Sequence, residues 1–267
     1  MSVTIAISGK GGSGKTSVSA MIVRHLVERG ARGVLAVDAD PNSCLGLALG
    51  VETEITVADI REQTRDRKVG ENPGEDRGRA FEYALQRAVA EAEGFDLLSM
   101  GRPEGPQCYC AINHLLRKYL DQAGRDYRFI IVDTEAGMEH LSRRTTDAVD
   151  HLLIIAEPTR VGATTARRIM DLSQSLPITV RSRAVLWNKV ADPPAGRSPM
   201  AGEGPAPLDA LKGDLPVIGA IPYDKAVLDG SMRGTTVFEL PSDSPAFAAV
   251  GEVVGALEGI PAQPSRK

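Results

Sequence analysis

The chain has 267 residues, 42% of them hydrophobic and 25% charged, and carries a formal net charge of −4. That is ordinary globular composition, with no basic excess to hold nucleic acid and no apolar run long enough to span a bilayer. Three cysteines make no disulfide framework, and the N-terminus opens directly into a strand with no signal-peptide pattern, so a soluble cytoplasmic chain with reduced thiols is expected.

Val3-Thr4-Ile5-Ala6-Ile7 reads as a buried strand, and Thr16 to Arg29 reads as a helix with Ala20, Val23 and Val27 at helical spacing. Between them Gly9-Lys10-Gly11-Gly12-Ser13-Gly14-Lys15-Thr16 fits the phosphate-loop pattern G-x-x-x-x-G-K-[ST]. Backbone N–H groups must face a phosphate chain there, and side chains would block the approach. The helix N-terminus adds further unpaired N–H groups and partial positive charge. The candidate nucleotide contacts are Gly11, Gly12, Ser13, Gly14, Lys15, Thr16 and Ser17. Lys15 reaches toward the β- and γ-phosphates, and the Thr16 hydroxyl is a Mg²⁺ ligand candidate. Lys10 adds a second cation inside the loop, awkwardly placed to fold back onto a nucleotide bound by its own chain.

Val34 to Asp38 reads as the second strand, and Asp38-Ala39-Asp40-Pro41-Asn42 sits at its carboxyl end, where open α/β sheets bind ligands. Two carboxylates there can hold Mg²⁺ waters or orient an attacking water, against the alternative of a plain Asp-Pro turn. Cys44 reads as a small packed residue. Residues 56–68 look helical, 69–78 read as a flexible excursion, a helix is expected from about Arg79 to Glu93, and Phe95 to Met100 reads as a strand. A turn-rich linker then delivers Cys108-Tyr109-Cys110, followed by a helix whose apolar stripe is Ile112, Leu115, Leu116 and Tyr119. Residues two apart in extended chain point to one side, so Cys108 and Cys110 offer two thiolates, half of a tetrahedral site for Ni²⁺ or Zn²⁺. A second copy across a two-fold axis would supply the other half; the alternative is two unrelated buried cysteines.

Phe129 to Asp133 is a strand ending in a carboxylate suited to Mg²⁺, and Gly137 in the following turn permits close backbone approach to a γ-phosphate. Leu152 to Ala156 is a core strand, Gly162 to Ser175 a crossover helix, and Ala184 to Trp187 another strand ending at Asn188-Lys189. The Asn188 amide can pair with an adenine edge or simply make a turn. Residues 191–207 read as a second flexible excursion, and Val217 to Ile221 as the last strand. Pro222 can flank the base and Asp224 can accept a base N–H, with a strand-to-helix turn as the alternative. The final helix starts after Ser244, with Pro245 at its first position, and buries Phe247, Val250, Val254 and Leu257. Its charged residues are Glu252 and Glu258, whereas a membrane-surface helix would carry Lys or Arg. The histidines, at 25, 114, 140 and 151, show no zinc spacing with the cysteines and read as structural or surface residues. The expected architecture is one α/β domain over residues 1–267: a doubly wound, mostly parallel sheet of about seven strands with helices on both faces, of the P-loop NTPase class.

The pattern K-G-G-x-G-K-T resembles the deviant Walker A loop of dimerising ATPases that include the nitrogenase iron protein and the septum-positioning and partition ATPases. In those families the lysine matching Lys10 reaches across a two-fold axis to the partner's phosphates, and the aspartate matching Asp40 orients the attacking water, with Asp38 a nearby outer-sphere contributor. The loop, Asp38 to Asn42, Cys108-Tyr109-Cys110 and Asp133-Thr134-Glu135-Ala136-Gly137-Met138-Glu139-His140-Leu141, in this order, resemble more narrowly the accessory ATPases that mature nickel-containing carbon monoxide dehydrogenase. Glu157-Pro158-Thr159 and Asn188-Lys189 add to that likeness, which covers nearly the whole chain. Some members have proline where this chain has Tyr109. The resemblance implies an ATP-driven homodimer with Lys10, Lys15 and Asp40 as catalytic residues and Thr16, Asp38 and Asp133 around Mg²⁺. It further implies a Ni²⁺ or Zn²⁺ site at the interface and the dehydrogenase as client. The competing readings are a partition or positioning switch acting on a membrane- or DNA-bound partner, and an electron donor resembling the nitrogenase iron protein.

Overall fold

A computed structural model describes residues 2–66, 77–102, 119, 123, 125–135, 148–175, 178–191 and 213–259. The apolar runs form eight strands: β1 (Val3–Gly9), β2 (Val34–Ala39), β3 (Val89–Ala92), β4 (Phe95–Ser99), β5 (Phe129–Thr134), β6 (Ala148–Ala156), β7 (Thr179–Val190) and β8 (Val217–Pro222). They lie in one sheet in the order β3-β4-β2-β5-β1-β6-β7-β8. Every pairing is parallel except β3 with β4. The helices are α1 (Lys15–Glu28), α2 (Leu45–Leu49), α3 (Val57–Asp66), α4 (Arg77–Ala88), α5 (Arg160–Ser175), α6 (Lys225–Arg233) and α7 (Pro245–Gly259), with a 3₁₀ turn at Val237–Glu239.

The strands read as continuous apolar runs because both sheet faces are covered. Ala6, Val37, Val132, Ile154 and Trp187 pack to one side with residues of α3, α4 and α5. Ile5, Ile7, Ala36, Ile131, Leu153 and Leu186 pack to the other with α1, α2 and α7. Alternate residues of one strand thus enter different cores, each large side chain contributing about 1.5–3 kcal/mol on leaving water. The stripe expected on the last helix is fully realised: Phe247, Val250, Val254 and Leu257 are buried. Ser244 caps it, its hydroxyl accepting from the Phe247 N–H at 3.1 Å.

The sheet has one strand more than expected. The helix read over Arg79–Glu93 stops at Ala88, and Val89–Ala92 pairs antiparallel with β4 through a two-residue turn in which Gly94 takes φ 87°. Sheet pairing and the left-handed glycine override a helical reading of those four residues. The excursion expected at 69–78 lies outside the described residues up to 76, while Arg77 and Gly78 already belong to α4; the excursion at 191–207 also lies outside them, apart from Ala191. No helix among the described residues is long and apolar enough to cross a membrane.

Candidate nucleotide-binding site

The carboxyl ends of β1, β2, β5, β6, β7 and β8 all open on one edge of the sheet, and β1 at its centre runs straight into the glycine loop and α1. The loop needs its glycines. A Cβ at Gly9 would lie 2.3 Å from the Ile155 carbonyl of the neighbouring strand. Gly14 sits at φ 94° as the N-cap of α1, and a Cβ there would lie 2.3 Å from Asn188 Nδ2. Side chains would push the backbone off both β6 and the end of β7.

Lys15 is nearly buried, and its ammonium donates to the Lys10 carbonyl at 3.5 Å, which turns it across its own loop. The Thr16 hydroxyl donates to Asp133 Oδ2 at 2.7 Å. Ser19, one turn further along α1, places its hydroxyl 3.0 Å from both Asp133 Oδ1 and the Lys15 carbonyl. Asp133 is 1% exposed, and burial pushes its carboxyl up to about 6, against the Thr16 and Ser19 hydroxyls and the Lys15 charge. Asp38 lies opposite it in the β2–β5 register and is 0% exposed. Burial pushes Asp38 up to about 7, opposed by N–H bonds from Leu45 and Asp40 and reinforced by the Asp133 charge. Two buried carboxylates with hydroxyl and carboxylate oxygens grouped around them are a hard-oxygen donor set, and a cation such as Mg²⁺ would relieve the charge that burial penalises. Thr16, Asp133 and Asp38 therefore fit Mg²⁺. Asp40, half-buried, takes the Asn42 N–H at 2.9 Å and the Asn42 side-chain N–H at 2.8 Å on its Oδ1. Cys44, expected to pack, is exposed at the start of α2, because only Leu45, Gly46 and Leu49 of that short helix face inward.

Beside these groups lies a cleft of about 540 Å³. Gly11, Gly12, Gly14, Lys15, Thr16 and Ser17 line it with Asp40 and Glu135. Met21, Ile221, Val227 and Leu228 add apolar lining, with Asn188, Pro222 and Asp224 also in the wall. A cleft of this size that combines a glycine loop with apolar lining suits a nucleotide. Lys10 is exposed, and with Ser13, Glu157 and Thr159 it lines a separate cavity of about 30 Å³, where the buried Ser13 hydroxyl has no partner among the described residues.

Asn188 and Asp224, both expected to meet a base, are already engaged within the protein. Asn188 Nδ2 donates to the Ser13 carbonyl at 2.8 Å. Asp224 caps α6 through the Ala226 N–H at 2.8 Å and accepts the Ser244 hydroxyl at 2.6 Å. Ser19 and Lys189, whose ammonium donates to the Gly12 carbonyl at 2.7 Å, were missed by the sequence reading. Ser19 left a signal, a hydroxyl inside an otherwise apolar helix face; Lys189 was noted with Asn188 at a strand end as part of the family likeness, but its bond to the loop left no signal of its own. Cys108, Cys110 and Gly137 lie outside the described residues. Among the described residues no group of three or more His, Cys, Asp or Glu is placed to hold a metal ion.

The CobQ/CobB/MinD/ParA nucleotide binding domain model matches residues 4–237. An uncharacterized ATP-binding protein of Methanocaldococcus jannaschii, MJ0685, is 37% identical over 255 residues, 93% of this chain and 96% of the relative. The carbon monoxide dehydrogenase accessory protein CooC of Rhodospirillum rubrum is 31% identical over 275 residues, 96% of this chain and 99% of the relative. Among solved structures, the septum site-determining protein MinD of Pyrococcus horikoshii, complexed with Mg-ADP, superposes with a TM-score of 0.62 at 23% identity, covering 97% of this chain and 96% of that one. With the family model matching residues 4–237, the chain belongs to the CobQ/CobB/MinD/ParA family of nucleotide-binding P-loop proteins.

Proposed function

We propose that this chain is a Mg²⁺-dependent ATPase that works as a nucleotide-dependent homodimer and supports nickel insertion into carbon monoxide dehydrogenase. The hydrolytic part rests on one arrangement, the Thr16 hydroxyl bonded to Asp133 at 2.7 Å, with Lys15, Thr16 and Asp40 lining the same cleft. Bound Mg²⁺ would supply charge neutralisation at the β- and γ-phosphates. Thr16 and Asp133 would hold the cation directly or through water, with Asp38 behind them. Loop N–H groups and Lys15 bind the phosphates and offset charge that develops during transfer. Asp40 orients a water in line with the γ-phosphoryl group. The water oxygen forms the new bond to phosphorus, the bond to the β–γ bridging oxygen breaks, and ADP and phosphate leave. Asn188, Pro222 and Asp224 border the base, and Gly137 senses the γ-phosphate.

The client assignment rests on the likeness to CooC over 96% of the chain. In this reading ATP closes two copies face to face, Lys10 engages the partner's phosphates, and two Cys108/Cys110 pairs meet to bind Ni²⁺ or Zn²⁺. Size and metal content, measured with and without ATP in one anaerobic preparation, test it. Dimers carrying one metal only when both cysteines are present are expected. A chain that stays monomeric and metal-free, or a Cys110→Ala chain with unchanged metal per dimer, sinks the interface site and leaves the ATPase. A switch acting on membranes or DNA is the competing reading; α7 carries no Lys or Arg, and ATP-dependent cosedimentation with lipid or DNA would revive it.

A further inference from the structure

Two consecutive residues at the end of β7 grip two consecutive carbonyls of the phosphate loop. Asn188 Nδ2 donates to the Ser13 carbonyl at 2.8 Å, and Lys189 Nζ donates to the Gly12 carbonyl at 2.7 Å. Asn188 Oδ1 also accepts the Lys189 N–H at 2.9 Å, closing a turn between the two. Lys189 makes its bond from a left-handed backbone, at φ 58°. Among the described residues, Ser43 is the other non-glycine residue in that region. Cβ crowding disfavours the conformation, so the surrounding contacts hold it, and such outliers gather at functional sites.

Peptide planarity gives the grip its consequence. In a trans peptide the C=O and the following N–H point opposite ways. Fixing the Ser13 carbonyl on Asn188 therefore aims the Gly14 N–H away from β7. Fixing the Gly12 carbonyl on Lys189 sets the Ser13 peptide, whose N–H donates to the Lys10 carbonyl at 3.2 Å. Glu157, just past β6, accepts from the same ammonium at 2.8 Å and anchors it from a second strand end. Lys189 and Glu157 are 44% and 42% exposed, so their ion pair alone contributes little; the bond to the loop carbonyl carries the effect.

We propose that Lys189 is a positioning residue for the phosphate loop: its ammonium, steadied by Glu157, holds the Gly12–Ser13 peptide in the turn that the Ser13 N–H closes on the Lys10 carbonyl, so that the loop is already shaped before a polyphosphate arrives. This rests on the ATP-binding reading above. A preset loop binds triphosphate and diphosphate better because less ordering remains to be done on binding.

The test uses the full chain and two variants. Lys189→Gly removes the ammonium and accepts positive φ without strain, so the fold is spared. Lys189→Arg restores a cationic donor. Affinities for fluorescent methylanthraniloyl ATP and ADP with Mg²⁺, the melting temperature without nucleotide, and amide exchange of residues 11–14 without nucleotide are measured. Lys189→Gly is expected to lower both affinities about tenfold, the effect of one lost charge-assisted bond. It should leave the nucleotide-free melting temperature within about 2 °C, speed amide exchange in the loop, and be largely repaired by Lys189→Arg. Unchanged affinity in Lys189→Gly overturns the proposal. So does weakened affinity with unchanged loop exchange, which would mean that Lys189 touches the nucleotide itself. Wild-type protein that binds neither nucleotide would instead sink the ATPase reading.

Discussion

Asp38 and Asp133 face each other across the β2–β5 pairing, both buried, with carboxyls held up near 7 and 6. Both folded-state values lie above the ordinary carboxylate range of about 4, so between about pH 4 and pH 7 the folded chain binds more protons than the unfolded one. With respect to this pair, stability is greatest below that window, falls as pH rises through it, and levels off above about 7. Asp38→Asn is expected to raise the melting temperature of the nucleotide-free chain by several degrees at pH 8, with the gain vanishing toward pH 4. Melting curves across that range, with no gain at pH 8, would contradict the buried charge pair.

The same pair predicts proton release. Mg²⁺ near Thr16 and Asp133 favours the ionised carboxylates, so binding of Mg²⁺-nucleotide near pH 6.5 should expel protons. Calorimetry in buffers of different ionisation enthalpy reads the number directly. Release should shrink in Asp133→Asn and by pH 8.5.

Among the described residues the Asp40 carboxylate bonds only to Asn42, in a local turn, so its removal leaves the core intact. Asp40→Ala is expected to slow phosphate release at least ~100-fold while ATP affinity stays within about threefold. Comparable losses in both would make Asp40 a binding residue.

Gly14→Ala combines an unfavourable φ of 94° with a Cβ that would lie 2.3 Å from Asn188 Nδ2. Nucleotide affinity should fall more than ~100-fold, and the melting temperature should drop as the Asn188–Ser13 bond is forced apart. Asn188→Ala in the same chain should recover part of the lost melting temperature by removing the clash.

Arg24 is 3% exposed and donates to the Val237 and Leu240 carbonyls, each at 2.7 Å, and to Glu28 at 2.6 Å, while its guanidinium lies 4.1 Å over the Phe247 ring. Arg24→Met strands two carbonyls and is expected to cost about 2–4 kcal/mol without changing nucleotide affinity. Chemical denaturation and nucleotide titration together check both halves.

The phosphate loop, the strand-end carboxylates Asp38, Asp40 and Asp133, and the parallel core were legible because each leaves a local signature: glycine spacing, or an apolar run ending in a charge. Val89–Ala92 was not, because its extended state comes from β4 alongside it. Asn188 and Asp224 were legible as strand-end polar groups, but their partners Ser13 and Ser244 are 175 and 20 residues away, and no spacing rule connects them. Arg24 hides for the same reason: a charged residue on a helix reads as a solvated face until the 3₁₀ turn is known to cover it.

The double duty of Asp224 reaches beyond the cleft. One carboxylate fastens the starts of both α6 and α7, so part of the cleft wall and the last described helix hang from a single pin. Replacing Asp224 would therefore unfasten the first turns of α6 and α7 together, although twenty residues separate them in the chain.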